Sequence, residues 1–115
     1  MINAKKKGNK GENAVANWLR DNGIKAWRDN ASGGGSREKG DVGNNIDLSI
    51  EVKTVKKINL QEAWKQVKHA SVIHHNEPAL FIHFDLMPKN KWLVVMDSDD
   101  WLYFMKKAKG IDEKV

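Results

Sequence analysis

Between Gly40 and Lys53 the chain reads Gly-Asp-Val-Gly-Asn-Asn-Ile-Asp-Leu-Ser-Ile-Glu-Val-Lys, with carboxylates at Asp41, Asp47 and Glu51 and an ammonium at Lys53. Its second half alternates strictly: Ile46, Leu48, Ile50 and Val52 fall on one side, and Asp47, Ser49, Glu51 and Lys53 on the other. That is the period of a half-buried strand, on which residues i and i+2 project side by side, roughly 7 Å apart. Glu51 can therefore hold a cation while Lys53 reaches into the same space. Two carboxylates a few Å apart repel by about 4 kcal/mol at an effective dielectric near 20, and a divalent cation relieves that repulsion. Hard oxygen ligands that leave positions open suit Mg²⁺ rather than zinc. Such an ion polarises a phosphoryl oxygen and lowers the pKa of a bound water, while a lysine orients the nucleophile or neutralises developing charge. These are the parts of phosphodiester hydrolysis.

The second carboxylate poses a geometric question. Gly43-Asn44-Asn45 is a good turn sequence, because Gly and Asn tolerate positive φ. A tight turn there sets Asp41 opposite Asp47 or Leu48, about 10 Å short of Glu51 along the strand. Either the Asp41 arm bulges or the turn is looser than it looks. Asp47 shares a face with Glu51 but lies roughly 13 Å away on a regular strand. Asp41 is the expected ligand and Asp47 its rival.

Gly40-Asp41, nine residues, then Glu51-Val52-Lys53 resembles the PD-(D/E)XK nuclease signature, with Gly in place of Pro. Lys10-Gly11-Glu12 opens a helix upstream, and Ala31-Ser32-Gly33-Gly34 lies in a loop before the aspartate. This order resembles archaeal-type Holliday junction resolvases and the small resolvase-like nucleases of phages and prophages, over about residues 8 to 96. The resemblance implies an endonuclease that uses Mg²⁺, with Mn²⁺ as a substitute, and that acts on DNA, four-way junctions included. Asp41, Glu51 and the Val52 carbonyl are then the metal ligands. Lys53 positions water or stabilises the transition state. Glu12 binds a second metal or the hydrated shell of the first; read from the residues alone, it is an acidic group favourable to the helix dipole. Gln66 faces the site by the same resemblance, and is a plain solvent-facing glutamine without it.

The elements that must position these groups can be read along the chain. Lys5, Lys6, Lys7 and Lys10 form a basic start over residues 1–9, either a solvated tail or a phosphate-contacting arm. Lys10 to Asn22 is helical, with Ala14, Val15, Trp18 and Leu19 on one stripe and Gly23 at the stop. Ile24 to Asp29 reads as a short strand. The polar loop from Asn30 to Lys39 is either a connector or a close approach for DNA backbone, with Ser32, Ser36, Arg37 and Lys39 as donors; it lacks the Gly-Lys-Ser/Thr of a Walker loop. After Lys56 and Lys57, two further candidate DNA contacts, Asn59 caps a helix with Glu62 at capping-box spacing. Its apolar stripe is Leu60, Ala63, Trp64, Val67 and Ser71. Pro78 ends the connection, and Ala79 to Phe84 is a continuous apolar run that predicts a strand covered on both faces. Met87 to Asn90 turns the chain. Trp92 to Met96 reads as another buried strand.

Asp97-Ser98-Asp99-Asp100 starts a last helix in which Leu102, Met105 and Ala108 are spaced for packing, with Gly110 at its end and residues 111–115 as a tail. The acidic cluster is no EF-hand, because Leu102 and Ala108 stand at the sixth and twelfth positions. Trp101, Tyr103 and Phe104 either complete the core or mark an interface, which makes a homodimer an expectation. His69, His74, His75 and His83 lack zinc-helix spacing, and the five tryptophans are read mostly as core.

The fold expected is α/β, a mixed central sheet flanked by helices in the order α-β-β-β-α-β-β-α. A chain of 115 residues is expected to make one domain, 1–115. Without cysteine there is no disulfide framework, thiolate zinc site or cysteine nucleophile. No apolar run approaches the roughly 20 residues of a membrane span, so the cytoplasm of a bacterial, archaeal or phage-infected cell is the expected compartment. A net charge of +5 suits a polyanionic partner. Two further functions fit the same residues: a basic DNA-binding module without catalysis, and a general phage-type DNA nuclease without junction preference.

Overall fold

The apolar positions of this chain sort onto two faces of one sheet. The structure, a computed structural model, describes residues 4–28 and 42–111, with backbone alone over 4–9. The elements run α1 (Ala4–Asp21), β1 (Ala26–Arg28), β2 (Val42–Asn44), β3 (Leu48–Val55), α2 (Leu60–His74), β4 (Glu77–Phe84), β5 (Leu93–Val95) and α3 (Ser98–Lys109). The described strands lie in chain order in one five-stranded sheet. β3 and β4 are parallel, joined through α2, and the other pairs are antiparallel. This is the mixed α/β sheet that the pattern predicts.

Strand alternation divides the core. On the α1 face, Ile50, Val52, Val42, Ala26, Ala79 and Phe81 pack with Val15, Ala16 and Leu19 of α1. On the other face, Leu80 and Ile82 pack with Ala63 and Val67 of α2, joined at the edges by Val55 and Phe84. Fully burying an apolar side chain of this size contributes about 1.5–3 kcal/mol, so these two layers hold the strands in register.

The ends of the helices follow local chemistry. The N–H groups of Gly23 and Ile24 turn back onto the carbonyls of Arg20 and Leu19, with Gly23 at φ 87°. Asn59 caps α2 by accepting from the Glu62 N–H at 3.1 Å.

Several expectations are corrected. Helix α1 begins at Ala4 rather than Lys10, so the stretch read as a basic tail or arm contributes a turn and a half of helix. Lysine is a good helix former, and a run of it need not fray. β4 begins at Glu77, so Pro78 lies inside it, buried beside Ser49, rather than ending the connection before it. Trp92 to Met96 is not a buried strand: β5 spans Leu93–Val95 at the sheet edge, with Leu93 and Val94 exposed. An apolar run carries no mark of whether it lies at the edge or the centre. Leu102, Met105 and Ala108 join neither core cluster, and α3 has no buried residue. Trp27 and Trp101 are exposed, while Trp18, Trp64 and Trp92 are partly buried against the core.

Candidate active site

Glu51 and Lys53 lie on β3 between Ser49 and Val55, all four on the strand face opposite Ile50 and Val52. Ser49 is buried below them, and Val55 closes the row against the α2 core. Glu51 and Lys53 are each half-buried, in register with Leu80 and Ile82 of the parallel neighbour. A central strand supported by packing on both faces is a rigid platform. Their side chains therefore emerge about 7 Å apart at the backbone with little freedom to separate.

The β2–β3 connection is where the geometric question resolves. Val42 lies opposite Ile50, so the strands are joined by a loop rather than a tight Asn44-Asn45 turn. The Asn44 side chain holds that loop together. Its Nδ2 donates to the carbonyls of Val42 (3.1 Å) and Leu48 (2.9 Å), and its Oδ1 accepts from the N–H groups of Ile46 (3.1 Å) and Leu48 (3.2 Å). The positive φ falls at Asp47 (59°), not at Gly43 or Asn44. Gly43 instead sits in β2 beneath the Trp27 indole, where a Cβ would come within 2.2 Å of Nε1. Asp47 is exposed and lies in the loop that precedes β3.

Glu12 of α1 is tied to β1: Arg28 Nε donates to its Oε1 at 3.1 Å, both groups partly buried. Sequence reading missed Arg28, which follows buried Ala26 by two residues and so shares the α1 face of β1. Among the described residues no three His, Cys, Asp or Glu side chains group so as to hold a metal ion. The described structure thus brings Glu51, Val52 and Lys53 together and sets Glu12 against Arg28. The donor chemistry beside Lys53, a carboxylate and a main-chain carbonyl, fits a hard cation and not a thiophilic one.

Of the candidate DNA contacts, Lys10, Lys56, Lys57 and Gln66 are exposed. Asp41, Ser32, Ser36, Arg37 and Lys39 lie outside the described residues, as do the side chains of Lys5, Lys6 and Lys7. His83 stacks edge-on against Trp92, and His75 forms the left-handed cap of α2.

A second charged cluster lies where α3 leaves the sheet. Lys68 Nζ donates to Asp97 Oδ2 at 3.2 Å, so Asp97 is spent on an ion pair and makes no side-chain cap. A hydrogen bond from its carboxyl to Asp100, helped by desolvation and by the negative charge of Asp100, holds Glu77 above the usual carboxylate range.

A family model described as "Phage putative PDDEXK endonuclease" matches residues 3–113. No curated protein sequence matches the chain. Among solved structures, the chain is similar to Hjc of Archaeoglobus fulgidus, a Holliday junction resolvase from an archaeal hyperthermophile. The TM-score is 0.56 at 20% identity, over 76% of this chain and 73% of that one. At that identity the likeness shows the fold, a restriction-endonuclease-like sheet flanked by helices. No described helix is long and apolar enough to cross a membrane.

Proposed function

Since the chain belongs to the phage PDDEXK endonuclease family, we propose that it is a Mg²⁺-dependent DNA endonuclease, active also with Mn²⁺. The site is built on Asp41, Glu51, the Val52 carbonyl and Lys53, with Glu12 as an outlying carboxylate. The observation that carries this reading is the pairing of Glu51 with Lys53, half-buried on one face of the best-supported strand. Hard oxygen donors and an ammonium on one wall suit a reaction in which negative charge grows on a phosphate.

Each residue has a defined task. Glu51 and Asp41 supply carboxylate oxygens, Val52 its main-chain oxygen, and Glu12 a further carboxylate held in place by Arg28. A bound divalent ion supplies charge neutralisation at the phosphate and a more acidic water. Lys53 donates hydrogen bonds to the attacking water or to a non-bridging phosphate oxygen, and so favours the transition state over the ground state. Affinity comes from distributed cations, Lys5, Lys6, Lys7, Lys10, Lys56 and Lys57 on α1 and after β3. Ser32, Ser36, Arg37, Lys39 and Gln66 add donors.

The proposed substrate is DNA in the cell that houses the phage or prophage, with four-way junctions preferred and a homodimer as the active species. Support for the junction comes from the likeness to a protein described as a Holliday junction resolvase. Two like nicks in a two-fold substrate also match two sites related by a two-fold axis. Supercoiled plasmid, linear duplex, flap and four-way junction, each incubated with and without Mg²⁺, test the reading. Metal-dependent cleavage, fastest on the junction, is expected.

A further inference from the structure

Among the described residues, helix α3 is attached to the rest of the protein at its first turn and nowhere else of substance. Lys68 holds Asp97 and Glu77 meets Asp100, but none of the twelve residues of α3 is buried. Trp101, Leu102, Tyr103, Phe104 and Met105 are each between 37% and 54% exposed. At 100° per residue, Phe104, Ala108, Trp101, Met105 and Leu102 sweep about half of the helix circumference. Large side chains of this kind bury 150–250 Å² each when covered, so α3 leaves on the order of 500 Å² of apolar surface open. That reaches the largest patch ordinary monomers expose. It also matches the apolar share of the roughly 800 Å² that each partner contributes to a standard interface.

The charges on α3 say what covers it. Its first turn carries Asp99 and Asp100, and its last carries Lys106, Lys107 and Lys109. We infer that the apolar face of α3 pairs with α3 of a second copy of this chain, antiparallel about a two-fold axis near Phe104 and Met105. In that arrangement each acidic first turn lies against the partner's basic last turn, twice over, and the aromatic middles cover one another. A parallel pair sets like charges together at both ends. A nucleic acid meets the acidic turn unfavourably. The inference rests on the homodimer reading above, and is independent of which residues catalyse.

The test uses the full chain without DNA. Sedimentation velocity at micromolar concentration is expected to give a dimer for the parental protein and a monomer for Phe104→Glu, with unchanged circular dichroism. The protein has no cysteine, so single cysteines report the contact without ambiguity. Met105→Cys, near the axis, is expected to form a disulfide dimer under mild oxidation. Ser98→Cys is not, because its two copies lie roughly 18 Å apart along antiparallel helices at 1.5 Å per residue. A parental monomer, a Phe104→Glu dimer, or crosslinking of Ser98→Cys as fast as Met105→Cys overturns the inference. Nicking of linear duplex by the same samples keeps the two readings apart. A monomer that nicks removes the α3 pairing and leaves the nuclease, whereas a crosslinked dimer that never nicks does the reverse.

Discussion

Val42 stands opposite Ile50 across the β2–β3 ladder, with Asn44 bracing the loop between the strands and Asp47 beyond them at positive φ. Asp41 is the proposed ligand, and its rival Asp47 lies in the loop. Asp47 serves a backbone conformation that Asn adopts equally well. Asp41→Asn is expected to slow Mg²⁺-dependent cleavage about a hundredfold or more, the scale of losing a charged group at a metal site. Asp47→Asn should stay within a few-fold of the parent. Initial rates for the two variants at saturating Mg²⁺ check this, and the reverse ranking moves the ligand to Asp47.

Gly11 is buried in α1, and a Cβ there would lie 2.6 Å from Thr54 Oγ1 and 3.3 Å from Val52 Cγ1. Ala is the better helix former by about 1 kcal/mol, but overpacking costs about 1–3 kcal/mol and Thr54 is too short to swing away. Gly11→Ala should therefore lower stability, by roughly 1 kcal/mol net. Adding Thr54→Ala should recover part of that loss. Urea denaturation of the three proteins measures both effects.

Glu77 gives a pH dependence whose sign is fixed. Its folded pKa lies above the ordinary 4.5 because it shares a hydrogen bond with Asp100, so the folded state binds this proton more tightly than the unfolded chain. The contact is fully stabilising in acid and is lost as pH rises through the raised value. Glu77→Gln keeps a donor to Asp100 at every pH and should raise the melting temperature near neutrality. The exposure of Glu77 keeps this gain small. Below the ordinary carboxylate range the advantage should vanish. Melting curves at neutral and acid pH decide it.

The order of the elements, the β3 alternation, the Asn59 cap and the Gly23 stop were all legible, because each is a local pattern with a local cause. What escaped depended on distant partners. Gly43 looked like a turn residue, but its lack of a Cβ serves the Trp27 ring on the adjacent strand. Asn44 acts through its side chain rather than through a left-handed backbone. The Leu102, Met105 and Ala108 spacing shows an apolar stripe correctly, yet spacing cannot tell whether the covering surface belongs to the same chain. In the candidate site, Glu51 and Lys53 could be paired from period alone. Arg28 could not be matched to Glu12, since nothing in the intervening sequence sets the approach of β1 to α1.

Glu51 and Lys53 are proposed to act on the rate of phosphodiester cleavage and not on DNA binding. The most direct measurement is single-turnover cleavage of a labelled four-way junction by the parent, Glu51→Gln and Lys53→Ala, with affinity for the same junction measured in Ca²⁺. Both variants are expected to lose cleavage while binding stays within a few-fold of the parent, because affinity is spread over many lysines. Parental cleavage by Lys53→Ala would contradict the assignment of the site.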